Sequence, residues 1–222
     1  MRTPAFLLLA PVLALALAGP GAAASAPGPA AAPSHADFRG EAASPDARRV
    51  ADWAAASGDN RGMPFVIVDK VQGRVFVFDP GGRLSGSAQA LVGAARGDDS
   101  VPGIGERPLA SIRAEERTTP AGRFVASLGA DLGPHDVLWV DYAAAISLHR
   151  VVTSNPKERR LQRLASATPL DNRISYGCIN VPAAFYDGVV RPAFSRSSGV
   201  VYILPEVRPV GSVFAIPAAA GR

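Results

Sequence analysis

Residues 64 to 80 read PFVIVDKVQGRVFVFDP. Two runs rich in valine, isoleucine and phenylalanine stand on either side of Gln72-Gly73, each closed by proline or aspartate. β-Branched and aromatic residues suit a pleated surface, and a glycine turn between two such runs folds one back on the other. The stretch predicts an antiparallel hairpin that ends in a second turn at Gly81-Gly82. Further short strand-like stretches follow: SAQALVG (87–93), GRFVASL (122–128), DVLWVDY (136–142), AISLHRV (145–151), GVVYILP (199–205) and SVFAIPA (212–218). Each is bounded by Gly, Pro or Asp, and no internal repeat links them. Many short strands without alternating long helices point to a mainly β, sandwich-like or barrel-like domain rather than to βαβ units.

Upstream of the hairpin the pattern changes. SPDARRVADWAAASG (44–58) places Ser44 as an N-cap, Pro45 at the first helical position, Ala47, Val50, Ala51 and Ala54 on one face and Gly58 past the end, which predicts a short helix. Before it, residues 27–45 are rich in Pro, Ala, Gly and Ser without periodicity and read as a flexible linker. The amino terminus, MRTPAFLLLAPVLALALAGPGAAASA (1–26), combines Arg2, an apolar run from Ala5 to Ala18 interrupted at Pro11, and Ala-x-Ala cleavage choices ending at Ala24 or Ala26. That pattern predicts a secretory signal peptide and an exported, periplasmic or cell-envelope protein. The apolar run is shorter than the roughly 18 residues of a membrane-spanning helix, and no comparable run recurs, so no membrane span is expected. The expected organisation is therefore 1–26 signal peptide, 27–45 linker, 46–62 short helix and linker, 63–216 main β domain and 217–222 tail.

The 222 residues carry 23 Lys+Arg against 19 Asp+Glu, a formal net charge of +4, and 21 of the basic residues are arginine. Arginine forks suit carboxylates, so an anionic polymer is a plausible partner class. No dense basic stripe interleaved with aromatics exists, which argues against nucleic acid. The oligomeric state stays open, with a monomer as the default.

Cys178 is the only cysteine and lies in RISYGCINVP (173–182). Two helical stretches flank it: NPKERRLQRLAS (155–166), with Asn155 as cap, Glu158 three residues later and Leu161, Leu164 and Ala165 on one face, and VPAAFYDGVVRPAF (181–194), expected to break near Gly188 and Pro192. Cys178 is thus expected in a loop between helices. In an oxidising compartment cysteines usually pair, so a lone thiol is either a small buried hydrophobe or a functional group. Gly177 directly before it permits close backbone approach, and successive N–H groups there suit a developing oxyanion. A thiol nucleophile also needs a base, normally histidine. Of the three histidines, His35 lies in the linker and His135 in a turn-like LGPHD cluster, whereas His149 ends the strand-like AISLHRV, a rigid place from which to aim an imidazole. A structural role for His149 remains open at this point. No short Cys or His pair supports a metal site.

SLH at 147–149 followed by SYGCIN at 175–180 resembles the L,D-transpeptidase (YkuD-like) catalytic domain, whose signature is a histidine, a spacer, then Ser/Thr-His-Gly-Cys with Asn or Arg two residues on. The hairpin around 65–84 and TTPAGRF at 118–124 resemble further family segments, and the likeness covers roughly residues 64 to 205. It implies a β-sandwich-like fold, Cys178 as nucleophile, His149 as base, Gly177, Tyr176, Ser175 and Asn180 as oxyanion or substrate-binding residues, and acyl transfer on peptidoglycan stem peptides without a cofactor. Position 176 is Tyr where the family usually has His, and the His149 to Cys178 interval of 29 residues is longer than usual, largely because of the 155–173 insertion. Arg159, Arg160 or Arg163 of that insertion is expected either to meet substrate carboxylates or to form a solvated face. Two alternatives accompany the transpeptidase expectation: a cysteine hydrolase of the same bonds and a catalytically inactive peptidoglycan-binding protein.

Overall fold

The hairpin forms where its composition places it. In the computed structural model, which describes residues 35–131 and 133–217, β1 (Phe65–Asp69) and β2 (Arg74–Phe78) pair antiparallel from Phe65 opposite Phe78 to Asp69 opposite Arg74. Gly73 makes the turn at a φ of 61°, a conformation open to glycine at little cost. All five β1 residues are buried, because both faces of the strand are covered. The period of two survives as an alternation of side-chain size. Phe65, Ile67, Phe76 and Phe78 enter one apolar cluster, while Val66, Val68, Val75 and Val77 enter the other.

The remaining strands are β3 (Leu84–Gln89), β4 (Val92–Gly93), β5 (Gly122–Ala130), β6 (Asp136–Asp141), β7 (Ile146–Arg150), β8 (Arg173–Ser175), β9 (Ile179–Val181) and β10 (Gly199–Ile203). Eight of them form one sheet in the order β3-β2-β1-β10-β5-β6-β7-β9, with β1–β10 and β7–β9 parallel and the other pairs antiparallel. Its two edges meet: the chain leaving β3 reaches Leu91, which exchanges backbone hydrogen bonds of 2.8 Å in both directions with Asn180 of β9. β4 then pairs with β8 in a second, two-stranded sheet. The domain is a mainly β near-barrel that encloses the valine-lined cluster, and a closed edge offers no ladder to a passing chain.

On the outer side, α1 (Pro45–Ser57) covers the phenylalanine face. Ser44 accepts the Ala47 N–H at 3.1 Å, Gly58 ends the helix at a φ of 69°, and Ala47, Val50, Ala51 and Ala54 are fully buried. Small residues let the helix lie close to the sheet, so the large side chains of the strands fill the layer: Phe65 stacks on Phe78 at 4.7 Å, and Trp53 meets Tyr202 edge-on at 6.0 Å.

Several expectations change. The linker predicted over 27–45 is packed from residue 35 onward: Asp37 bridges to Arg83, and Phe38 is buried against Phe76 and Phe78. The buried Phe38 ring and the backbone bonds of Asp37 to Gly82 and Leu84, at 2.9 and 2.8 Å, dock a segment whose composition reads as linker. Residues 27–34, the expected signal peptide and residues 218–222 lie outside the described residues. The strand expected at 87–93 is split, since Ala90 bonds to Gly73 and the chain then crosses to β9 and β8. Over the described part of the strand expected at 212–218, residues 212–217, no strand forms; Phe214 instead packs on Tyr202 behind a short 3₁₀ turn, Val210–Ser212. Both neighbours of β10 in the sheet are already taken by β1 and β5, so this segment has no ladder to join.

The expected helix at 155–166 shrinks to a 3₁₀ turn (Pro156–Glu158) and α2 (Arg160–Leu164), with Arg159 at a φ of 51° between them. Asn155 caps as expected, but Glu158 turns to Arg160, and of the apolar face only Leu164 is buried. The expected break at Gly188 and Pro192 is absent. α3 (Ala183–Phe185), a π turn (Tyr186–Val190) and α4 (Arg191–Phe194) run on continuously. The Arg191 N–H returns to the Tyr186 carbonyl, so the register slips by one residue before Pro192, which has no N–H to give, enters the helix. Tyr186, Val190 and Phe194 thereby reach the inner cluster. Among the described residues no helix is long and apolar enough to cross a membrane.

Candidate active site

Cys178 lies between two strands rather than between two helices: β8 ends at Ser175, Tyr176-Gly177-Cys178 turns, and β9 begins at Ile179. The insertion helix α2 is separated from it by a 3₁₀ turn (Pro169–Asn172) and by β8. β9 runs parallel to β7 with Leu148 beside Ile179 and His149 beside Asn180. Ile146 and Leu148 face the inner cluster, so the alternate β7 residues, Ser147 and His149, face the other way, toward Cys178. The Ser147 hydroxyl is 3.7 Å from Sγ, and Sγ is 3.5 Å from the Ala145 carbonyl.

The His149 imidazole lies near enough to the Cys178 thiol for each to bias the other's protonation. Nδ1 of His149 lies 2.7 Å from the Arg150 carbonyl oxygen, a group that only accepts, so Nδ1 carries the hydrogen and Nε2 is left for the thiol. Burial pushes the Cys178 thiol up, but the neighbouring His149, with Ser147, outweighs it and holds the thiol below its ordinary value. Burial pushes the His149 imidazole down, and the neighbouring Cys178, with the Arg150 carbonyl, outweighs that in the opposite direction. Both shifts favour the charged form of the pair.

The turn before the thiol requires glycine. Gly177 has a φ of 137°, and a Cβ there would lie 2.7 Å from both Ile146 Cδ1 and the Thr118 carbonyl oxygen. The expected oxyanion pocket is altered by the same turn. The Gly177 N–H donates to Ser175 Oγ at 3.1 Å, and that hydroxyl donates to the Cys178 carbonyl at 2.6 Å. Gly177 is therefore not free to offer its N–H to a substrate, whereas the Cys178 N–H meets no acceptor among the described residues. Ser175 and Asn180 are buried and hold the turn from inside instead of lining a cleft. Asn180 donates to the Cys178 carbonyl at 3.3 Å and accepts from Arg160 at 2.7 Å.

Tyr176 and Cys178 open together onto a narrow cavity of about 70 Å³, walled by Ile104, Ile112 and Ile146 with Arg107 at its rim. The Arg117 guanidinium lies 4.0 Å over the Tyr176 ring, and the phenol oxygen meets no partner among the described residues. His149 opens on its other side to a larger cavity of about 350 Å³ that also exposes Asp131, His135 and Asp136. Cys178 and His149 thus sit between two cavities of different character. Of the insertion arginines, Arg160 is held by Glu158 and Asn180, and Arg163 by the Glu158 and Asp171 carbonyls, which leaves the two of them anchoring the insertion to β9 and to itself. Among the described residues no three metal-ligating side chains gather.

Sequence reasoning missed three contributors. Ser147, two residues before His149 on a strand, shares its face and was open to that inference. Thr119 donates to the Gly177 carbonyl at 2.7 Å from a segment noted only for its family likeness. The cavity wall at 104–116 is made of three 3₁₀ turns pinned by Glu116, which accepts from Arg107 and Arg113 at 2.9 to 3.2 Å. Their hydrogen bonds hold the Glu116 carboxyl well below the usual carboxylate range.

Against known proteins, no family model matches the chain and no curated protein matches it. Solved structures with similar folds include the helical cell shape determining protein Pgp2 from Campylobacter jejuni, at 13% identity and a TM-score of 0.43, covering 66% of this chain and 49% of that one. The catalytic domain of the Enterococcus faecium L,D-transpeptidase is 14% identical with a TM-score of 0.37, covering 64% of this chain and 96% of that one. The L,D-transpeptidase of Xylanimonas cellulosilytica is 14% identical with a TM-score of 0.38, covering 68% of each chain. The chain spans about half the length of the Pgp2 chain.

Proposed function

We propose that the protein is an exported cysteine acyltransferase acting on peptidoglycan stem peptides, with Cys178 as nucleophile and His149 as its base. The observation that carries this reading is the placement of His149 on β7 beside the start of β9, next to Cys178, with the thiol lowered and the imidazole raised. The thiolate attacks the carbonyl carbon of the residue before a terminal D-amino acid. The C–N bond breaks, the imidazolium gives its proton to the departing amine, and a thioester remains on Sγ. An acceptor amine then attacks the thioester, returns a proton to the imidazole and releases the cross-linked product and the thiolate. No step consumes a cofactor. The Cys178 N–H, which meets no acceptor of the chain's own among the described residues, is the backbone donor available to the oxyanion. Tyr176 acts as a wall of the cleft, its ring backed by Arg117.

Water in place of the amine would make the same thioester a hydrolytic intermediate, so the acceptor decides between transferase and hydrolase. Incubation with isolated peptidoglycan, followed by digestion and mass spectrometry, tests the proposal. New cross-links are expected. Shortened peptides without cross-links would make it a hydrolase, and unchanged fragments with wild-type protein would overturn catalysis altogether.

A further inference from the structure

Lys70, the residue after β1, is fully buried, and all three of its ammonium hydrogens are used. Nζ donates to the Gly97 carbonyl at 2.6 Å, to Asp98 Oδ1 at 3.0 Å and to the Thr119 carbonyl at 2.8 Å. Asp98 in turn accepts the backbone N–H groups of Glu206, Val207 and Arg208 at 2.8, 3.0 and 2.8 Å. A buried ion pair stabilises a fold little more than apolar packing of the same volume, so what it holds in place matters more than its strength.

It holds Thr119. The Thr119 side chain is fully buried, its Oγ1 accepts the Gly93 N–H at 2.8 Å, and its hydroxyl hydrogen goes to the Gly177 carbonyl at 2.7 Å. Glycines clasp this segment from both sides. A Cβ on Gly93 would lie 2.3 Å from the Arg117 carbonyl oxygen, and one on Gly177 would lie 2.7 Å from the Thr118 carbonyl oxygen. A continuous path of hydrogen bonds therefore runs from the buried ammonium through Thr119 to the carbonyl of the residue before the thiol.

We infer that Thr119, fixed by Lys70, is a positioning residue for the reactive thiol: its hydroxyl sets the Gly177 carbonyl and so the direction in which Cys178 leaves the turn toward His149. The inference rests on the reading of Cys178 and His149 as the reactive pair. Only serine or threonine both accepts and donates at this place. Valine matches the shape of threonine but strands the Gly93 N–H and the Gly177 carbonyl, which relieves the strain by letting the turn move.

The test is the rate of Cys178 alkylation by iodoacetamide against pH, with the melting temperature measured on the same samples of full-length protein. Wild type is expected to titrate below an ordinary thiol. Thr119→Val is expected to raise the midpoint by about one pH unit, which slows alkylation about tenfold on the acid side of the curve, while Thr119→Ser stays within about twofold of wild type. Should Thr119→Val not fold, Thr119→Ala is expected to show the same shift. A Val or Ala variant that melts earlier but keeps the wild-type midpoint would overturn the positioning role and leave Thr119 a structural residue. A wild-type thiol that titrates at the ordinary value would instead overturn the reactive pair itself, so the two failures are told apart.

Discussion

The two ends of the sheet are held by different physics. At the β3-β2-β1-β10 end, large apolar side chains pack under a small-residue helix. At the β7-β9 end and around β4 and β8, short strands of two to five residues are held by buried ions and by side chains bonded to backbone. The first arrangement tolerates exchange of one apolar group for another of similar volume. The second depends on each donor finding its acceptor, because a buried polar group left alone costs more than its bond was worth. Rigidity without bulk is what a reactive thiol needs: it must be held, yet remain open to a cleft.

Removing the thiol separates the two ends most sharply. Cys178→Ala is expected to reduce turnover of peptidoglycan to background while changing stability by only about 1 kcal/mol, since little volume is lost. Activity assays and urea unfolding on the same protein check it.

Next in size are two stability changes that look alike alone and differ in combination. Phe76→Ala is expected to cost about 3–5 kcal/mol through lost burial and a residual cavity. Lys70→Met is expected to cost about 3–5 kcal/mol by leaving Asp98 buried without the ammonium that bonds it, while Glu206 keeps Arg173. Adding Asp98→Asn should recover part of the Lys70→Met loss, whereas no second polar change should rescue Phe76→Ala. A double-mutant cycle by urea unfolding reads the coupling, and strict additivity for the lysine pair would erase the distinction between the two ends.

Acid provides a smaller and graded break. Burial pushes the Asp98 carboxyl up, but three backbone N–H groups and Lys70 outweigh it and bring the carboxyl to about 2 from an ordinary 3.8. A depressed carboxyl stabilises the fold above its unfolded value, so this contribution is complete above about pH 4 and is lost as pH falls toward 2. The melting temperature is expected to decline in that window, and less steeply in Asp98→Asn. A wild-type slope unchanged by Asp98→Asn would contradict it.

The smallest effect is expected at Tyr176. Its ring is covered by Arg117 and its hydroxyl meets no partner among the described residues, so Tyr176→Phe should hold turnover within about threefold of wild type, far from the hundredfold typical of a lost oxyanion donor. A hundredfold loss would return the hydroxyl to the reaction.

The same contrast explains what could be read in the sequence. The hairpin, α1 with its Ser44 cap, and most of the strands follow from local pattern, because their residue types, turns and caps repeat within two to four residues. Cys178 and His149 were legible as residue types, and the family likeness paired them. What stayed hidden rests on contacts far apart in the chain: Thr119 to Gly177 spans 58 residues, Lys70 to Asp98 spans 28, and Arg173 to the Lys70 carbonyl spans 103. Ser175 and Asn180 were expected to bind oxyanion or substrate, and only the fold reveals that they face inward to bond the Cys178 carbonyl. Phe38, one aromatic in a stretch otherwise composed like a linker, carries no local period to betray its docking.

The central claim is covalent acyl transfer through Cys178 assisted by His149. Its most direct test is the intact mass of the protein after brief incubation with a stem tetrapeptide ending in a D-amino acid, quenched in acid. The account predicts a mass gain equal to the tripeptide acyl group, mapped to Cys178, absent in Cys178→Ala and strongly reduced in His149→Ala. An unmodified wild-type protein under conditions where the peptide binds, or an adduct that persists in Cys178→Ala, would contradict it.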